Sequence, residues 1–427
     1  MLRLIETFSG IGSQLQALKN SNIEHSVEAI VEWEISAMYA YDIMHNGPQN
    51  IKKYRHHTKR SLVEKLKEYN LSNNGSSSMS NRSLLSMNMG QLKALLHSIE
   101  RTNNFVDITR INALDLPTAD ILTYSFPCQD LSVSGNWHRN FGGINREANN
   151  RSTLLWEIER LLKEYVTYDK SLPRFLLMEN VSNILSDKHI GNFREWQSFL
   201  ESLGYTNQVY TLDARNFGIP QSRVRTYMIS VLVKDKDQAE SVSNYFLLNN
   251  LNQIRLDSKN IIPISNFLRL DYSNGKYRKE AIESTPSYTP SREKIYDNNL
   301  ILAVDDKAKE NVYARTITTK QDRNPNSGII AYNKIELVNH NKKYRNLTPR
   351  ECFLLMGFSE QQFDSLMENN FKVIGRNFLS VSRLIRLAGN SIVVPVLEAL
   401  FNQINEINKQ ILLPKKEGKV DRHTKAL

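Results

Sequence analysis

The sequence predicts an α/β fold on a mostly parallel sheet, together with a smaller, irregular second domain. Three observations predict it. Short apolar runs alternate with helical stretches through the first 235 residues, as strand–helix–strand units require. Between residues 236 and 345 that rhythm gives way to polar sequence broken by Pro263, Pro286, Pro290 and Pro325. Helical, α/β-like sequence then returns from Leu347 to about Leu413. The expected division is therefore 1–235 and 346–413 as one large unit, with 236–345 as the smaller one. Residues 414–427 read as a basic, frayed tail.

Taken in order, Leu2–Phe8 reads as a strand and Ser9-Gly10-Ile11-Gly12 as a turn. Ser13–Asn20 follows as a helix, with Leu15 and Leu18 on one apolar face. Val27–Val31 is a second strand, ending at Glu32-Trp33. Ile121–Phe126, Phe175–Met178 and Tyr227–Val233 are further apolar strands, and Leu154–Tyr165 is a helix between the first two of these. An insertion at about 46–103 interrupts the pattern. Its residues 51–101 carry ten Lys/Arg against three Asp/Glu, a local surplus of +7. Within it, the Ser- and Asn-rich stretch Asn70–Asn88 reads as a flexible polar loop.

Composition narrows the class of protein. The chain of 427 residues has 55 Lys plus Arg and 45 Asp plus Glu, a net charge of +10 that favours a polyanionic partner. An apolar share of 40% excludes a wholly disordered chain. Two cysteines, Cys128 and Cys352, exclude a disulfide scaffold or a Cys-rich zinc module. His56 and His57 lack further ligand residues around them, so no metal is expected. The start meets Glu6 too early for a signal peptide, and no apolar run reaches the roughly 18 residues of a membrane span. A soluble, cytoplasmic protein without a membrane partner is the expectation.

Four short motifs could carry chemistry. In Phe8-Ser9-Gly10-Ile11-Gly12, glycines after a strand allow a tight turn and close approach of a ligand, although an ordinary turn can look the same. About twenty residues on, Glu32 stands where dinucleotide-type folds place an acid against ribose hydroxyls. Leu15 and Gln16 fall where the third glycine of the dinucleotide fingerprint belongs, which argues for a nucleoside ligand without pyrophosphate. In Pro127-Cys128-Gln129, the cysteine follows a strand, at the sheet edge where α/β folds bind ligands. It is a nucleophile if its pKa is lowered and a structural thiol otherwise. In Met178-Glu179-Asn180-Val181, a carboxyl in partly apolar surroundings suits a raised pKa and proton donation, or a helix N-terminal acid. In Gln221-Ser222-Arg223-Val224-Arg225, alternation puts both arginines on one face, as an anion-binding or a solvated pair.

In this order the four motifs resemble those of the DNA (cytosine-5) methyltransferases. Two further blocks fit: Arg345 to Glu351, running on to Met356-Gly357-Phe358, and Gly389-Asn390-Ser391 to Val396. The resemblance covers about residues 1–235 and 345–400, and it makes 236–345 the variable target-recognition domain. It implies the S-adenosylmethionine-dependent, Rossmann-like methyltransferase fold. Cys128 would be the nucleophile that adds to C6 of cytosine, Glu179 would contact N3 and the exocyclic amine, and Arg223 with Arg225 would hold the base and the site. Gln129, Ser134 and Gln221 would approach the DNA or the flipped base, and the base must leave the stack because C6 is inaccessible inside it.

The resemblance further implies S-adenosylmethionine as cofactor. Phe8, Gly10 and Gly12 would line its pocket, Glu32 would hold the ribose, Trp33 would pack on adenine and Asp107 would meet the adenine amine. Leu154, Asn390 and Ser391 match further pocket positions. The implied partner is double-stranded DNA, with a cognate restriction endonuclease as a functional companion and a monomeric protein. Tyr124-Ser125 and Leu131 depart from the residues usual in this family, as does the long basic insertion, which could contact DNA or form a solvated peripheral helix. An RNA cytosine-5 methyltransferase and a non-catalytic DNA-binding relative are the competing readings. The polar segment 236–345 favours DNA over RNA, and intact Cys128, Glu179 and Arg223 favour catalysis. A nicotinamide oxidoreductase is disfavoured by the missing glycine. Cys352, in an apolar helical stretch, is expected to be buried core.

Overall fold

The computed structural model describes residues 1–127, 131, 144–146, 151–256, 262–287, 289–333, 342–373 and 375–413. Cys128, Gln129 and Ser134 lie outside the described residues.

The centre is a six-stranded sheet of β1 (Leu2–Thr7), β2 (His25–Val31), β3 (Ile121–Tyr124), β4 (Phe175–Val181), β5 (Tyr205–Asp213) and β7 (Val224–Leu232), in the order β2-β1-β3-β4-β7-β5. The pairs β1–β2, β1–β3 and β3–β4 are parallel, whereas β7 runs antiparallel to both β4 and β5. Buried on both faces, β3 and the first half of β4 read as apolar runs rather than alternating ones. Leu4, Ile121, Phe175 and Leu177 pack into one core. Their neighbours Ile5, Leu122, Leu176 and Met178 pack into a second core on the opposite face.

Five strand readings change. β1 stops at Thr7 and β2 begins at His25. β3 stops at Tyr124, and β4 continues to Val181 because its last residues still pair with β7, which places Glu179 inside a strand opposite Tyr227. The strand expected from Tyr227 begins at Val224.

The helix α1 (Ser13–Asn20) matches its expected bounds, and α2 (Ile35–Asn46) follows β2 with Glu34 as its N-cap. The insertion contains α3 (Lys59–Lys67), α4 (Asn81–Ser86) and α5 (Met89–Arg101). In α3, Leu62, Val63 and Leu66 are buried while its lysines and Arg60 face outward. The expected flexible loop Asn70–Asn88 is in fact built. Ser80 caps α4, Asn88 and Gln91 form a capping box on α5, and Asn74 Oδ1 accepts the Ser76 and Ser77 amides in a tight turn. Polar side chains that look like linker composition here serve as caps.

In the polar segment, the helix Lys236–Leu248 packs on the main core through Val242 and Phe246. Farther on lies a four-stranded sheet of β8 (Ile301–Val304), β9 (Lys307–Ala308), β11 (Ile329–Ala331) and β12 (Tyr344–Asn346). β10 (Ala314–Arg315) instead pairs in parallel with β6 (Gln221–Ser222), stitching this region to the main unit. Arg345 and Glu351 are fully buried and joined by two hydrogen bonds of 2.8 Å, and Arg345 also donates to Tyr272 Oη. Cys352 is fully buried, and burial pushes its thiol well above the ordinary range. The stretch Val381–Leu412 is long and apolar enough to cross a membrane, yet 67% of its most apolar window is buried inside the fold. It comprises two core helices, Val381–Asn390 and Val394–Ile407, the first broken off at Ser391.

Candidate active site

At the carboxyl ends of β1 to β4 lies a cleft of about 500 Å³, where open α/β sheets bind ligands. Phe8, Gly10, Glu32, Trp33, Asp107, Leu154, Asn390, Glu179, Arg223 and Arg225 all line it. Pro127, the residue before Cys128, lines it too. Its carbonyl accepts from Ser152 Oγ at 2.9 Å, and the Phe126 carbonyl accepts from Asn180 Nδ2 at 3.1 Å. The β3 exit loop is thus pinned from two sides.

Positive φ values at Phe8, Gly10 and Gly12 bend the β1–α1 loop back toward β2. The Gly10 amide donates to Glu32 Oε2 at 2.9 Å, the Glu34 amide donates to Glu32 Oε1 at 2.8 Å, and the Gly12 amide donates to the Ser9 carbonyl at 3.0 Å. Two loop amides that could reach a phosphate, those of Gly10 and Gly12, are therefore spent within the protein. Two carboxylates, Glu32 and Glu34, stand beside them. Burial pushes the Glu32 carboxyl up to about 7, the neighbouring Glu34 charge pushes the same way, and the amide hydrogen bonds oppose them. Asn104 fixes the Glu32 backbone through both its amide atoms, at 3.0 and 2.9 Å.

At the far end, Glu179 is raised by burial, and the charges of Arg225 and Arg223 pull it down. Arg225 Nε lies 3.5 Å from Glu179 Oε1. Arg223 is buried and donates through Nη1 to the Ile317 carbonyl at 3.0 Å and through Nη2 to the Gly389 and Ser391 carbonyls at 3.1 and 2.8 Å. It joins three chain segments at the cleft wall.

Three expected site residues stand elsewhere. Gln221 is fully buried, its Nε2 donating to the Leu355 carbonyl and its Oε1 accepting the Ile317 amide, so it has no reach to DNA. Its place is between β10 and the Arg345–Phe358 block. Ser391 is buried, its hydroxyl donating to the Leu387 carbonyl, and only its own carbonyl serves the site, through Arg223. Gly12 lies behind the cleft, where a Cβ would come within 2.3 Å of His45 and 2.8 Å of Tyr41. In all three the side chain, or the room a side chain would need, is taken up by packing inside the protein.

The cleft also holds residues that sequence reasoning missed: Glu34, Asn70, Asn74, Gly75, Thr319 and Arg386. Glu34 was legible as an N-cap acid before α2. Asn70 to Gly75 carried no signal beyond a polar loop, and Arg386 read as one charge on an amphipathic helix.

The profile of the family described as C-5 cytosine-specific DNA methylase matches residues 83–406. The chain is 30% identical over 410 residues to "Type II methyltransferase M2.ScrFI" of Lactococcus lactis subsp. cremoris, covering 95% of this chain and 99% of that protein. It is 32% identical over 417 residues to "Orphan methyltransferase M.SssI" of Spiroplasma monobiae, covering 94% and 97%. Among solved structures, that of S. pombe Dnmt2 methyltransferase superposes with a TM-score of 0.58 at 19% identity, covering 96% of this chain and all of that one. At that identity the likeness establishes the fold.

Proposed function

The chain belongs to the C-5 cytosine-specific DNA methylase family, and on that premise we propose how its cleft performs the methylation of DNA at cytosine C5. One observation carries the reading. A buried carboxyl with raised pKa, Glu179, faces Arg225 at one end of a cleft whose other end presents Glu32, Trp33 and Asp107.

The second end fits S-adenosylmethionine. Glu32 supplies acceptors for ribose hydroxyls, Trp33 an aromatic face for adenine, and Asp107 an acceptor for the adenine amine, while Phe8, Gly10, Leu154 and Asn390 complete the wall. The Gly10 and Gly12 amides, already spent on Glu32 and Ser9, leave this loop fewer donors for a pyrophosphate. When bound, S-adenosylmethionine supplies an electrophilic methyl group carried on a sulfonium.

The protein's own residues prepare the base. Cytosine is flipped out of double-stranded DNA, at a cost of a few kcal/mol met by DNA contacts. The Cys128 thiolate adds to C6, Gln129 contacts the flipped base and Ser134 the DNA. Glu179, its carboxyl raised by burial, is favoured in the protonated form that can be placed against N3. This draws charge from the ring as the thiolate adds and leaves C5 nucleophilic. Arg225 orients Glu179, and Arg223 holds the wall behind it. Once C5 has taken the methyl group, loss of its proton, elimination of the thiolate from C6 and return of the N3 proton to Glu179 release 5-methylcytosine. Residues 236–345 form the target-recognition domain, and the enzyme works as a monomer on the modification side of a restriction system, with a cognate endonuclease as companion.

The test is bisulfite sequencing of DNA from cells expressing the wild type and Cys128→Ala. Methylated cytosines in one sequence context with the wild type, none with the variant, and a covalent adduct with 5-fluorocytosine DNA support the reading. Full methylation by Cys128→Ala overturns it.

A further inference from the structure

We propose that the inserted segment builds the adenine end of the cofactor site, and that Asn70 is a specificity-determining residue there. This rests on the assignment of that end to S-adenosylmethionine. The insertion leaves the main unit after α2, and its residues 70–75 come back against the exit of β2. The Ser72 amide donates to the Trp33 carbonyl at 2.8 Å, and the Ile35 amide donates to the Ser72 carbonyl at 2.9 Å. The loop is therefore paired to the very turn that carries Glu32 and Trp33.

Two arginines of the helix Val381–Asn390 latch it from above. Arg386 Nη2 donates to Glu34 Oε1 at 2.9 Å and to the Asn73 carbonyl at 3.3 Å, and Arg383 Nη2 donates to Asn73 Oδ1 at 3.2 Å.

Asn70 reaches from this wall to Asp107, with Nδ2 donating to Oδ2 at 2.6 Å. The other oxygen of Asp107 accepts from the Thr109 amide at 3.0 Å and its hydroxyl at 2.8 Å. Asp107 is thereby fixed in orientation; its Oδ2 also faces Arg110 Nε at 3.6 Å, beyond hydrogen-bond range, and a lone-pair direction on that oxygen remains for a ligand in the cleft. Asn70 Oδ1 makes no hydrogen bond to any described residue, and Asn70 lines the cleft. The pair thus offers acceptors to the ligand: the remaining side of Oδ2 and the Asn70 carbonyl. A 6-amino purine satisfies both with its two N–H bonds. A 6-oxo purine sets an acceptor against acceptors, which a site built on hydrogen bonds rejects strongly.

The test compares binding of S-adenosylhomocysteine and S-inosylhomocysteine by calorimetry. The proteins are the wild type, Asn70→Ala, Asn70→Ser (too short to reach Asp107) and Ser80→Ala, which loses the α4 cap within the same insertion. On the scale of one hydrogen bond to a charged group, Asn70→Ala and Asn70→Ser are expected to weaken S-adenosylhomocysteine about tenfold and to lower the preference over the inosyl ligand by a similar factor. Ser80→Ala keeps the wild-type preference. Wild-type preference in folded Asn70 variants overturns the proposal, as does failure of both to fold, which makes the contact purely structural. A wild type that binds neither ligand and methylates no DNA instead defeats the functional reading beneath it.

Discussion

Arg225 Nε stands 3.5 Å from Glu179 Oε1, with both side chains largely withdrawn from solvent. Burial and the guanidinium act on Glu179 in opposite directions, and burial prevails. If protonated Glu179 is the working form, activity falls as pH rises through its pKa. Arg225→Met removes the opposing charge and raises that pKa further, so the basic limb of kcat/KM moves to higher pH. Glu179→Gln loses the proton and about 10²–10⁴ of the rate. A basic limb that stays put in Arg225→Met contradicts the coupling.

Glu32 titrates at about 7 in the folded protein. If ribose hydroxyls donate to its ionised form, as proposed, affinity for S-adenosylhomocysteine should rise between pH 6 and 8. Glu32→Gln should bind more weakly and without that rise. Calorimetry across the range decides it.

The same shift has a consequence for stability. The unfolded carboxyl titrates near 4.3, so the folded state binds the proton more tightly and stability declines as pH rises from there through about 7. Glu6, buried and also raised to about 7 with one oxygen on the Leu15 amide, acts with the same sign. In the ligand-free protein, Glu32→Gln or Glu6→Gln should flatten the fall of melting temperature between pH 5 and 8. An unchanged slope in both would place the raised groups elsewhere.

Arg345 and Glu351 face each other with no exposure at all. Glu351 also accepts the Thr348 and Arg269 amides, so it holds a helix cap and the polar segment together. Glu351→Ala leaves a buried guanidinium without its partner and should cost about 3–5 kcal/mol in urea unfolding. Adding Arg345→Met should recover part of that loss, and a double variant no better than the single one would refute the pairing argument.

Gly12→Ala meets both a φ of +80° and His45 Nε2 at 2.3 Å. A loss of about 1–3 kcal/mol is expected, together with weaker cofactor binding as the Gly10 turn shifts. Gly10→Ala, where a Cβ meets nothing within 4 Å, should lose less stability.

Much of this was legible in the sequence, for identifiable reasons. Apolar runs such as Ile121–Tyr124 and Phe175–Met178 are buried on both faces, and that burial is what makes them conspicuous. Five of the six short motifs send residues into one cleft, among them Phe8, Pro127, Glu179, Arg223 and Asn390. Gln221 deceived because a motif position fixes where a residue stands in the chain, not which way its side chain is spent. Asn70 was invisible because its partner, Asp107, is 37 residues away and nothing local announces the pairing. The loop around it looked like linker because caps and linkers use the same amino acids.

The reversed strand β7 has a consequence for how such a site can be altered. Glu179 is reached as the chain leaves β4, whereas Arg223 and Arg225 are reached as it enters β7. The ladder between the two strands, with Val181 opposite Arg225, is therefore what sets the spacing at this end of the cleft. A slip of β7 by one residue would turn Arg225 to the other face of the sheet while Glu179 kept its place, so register works here as the gauge of the site.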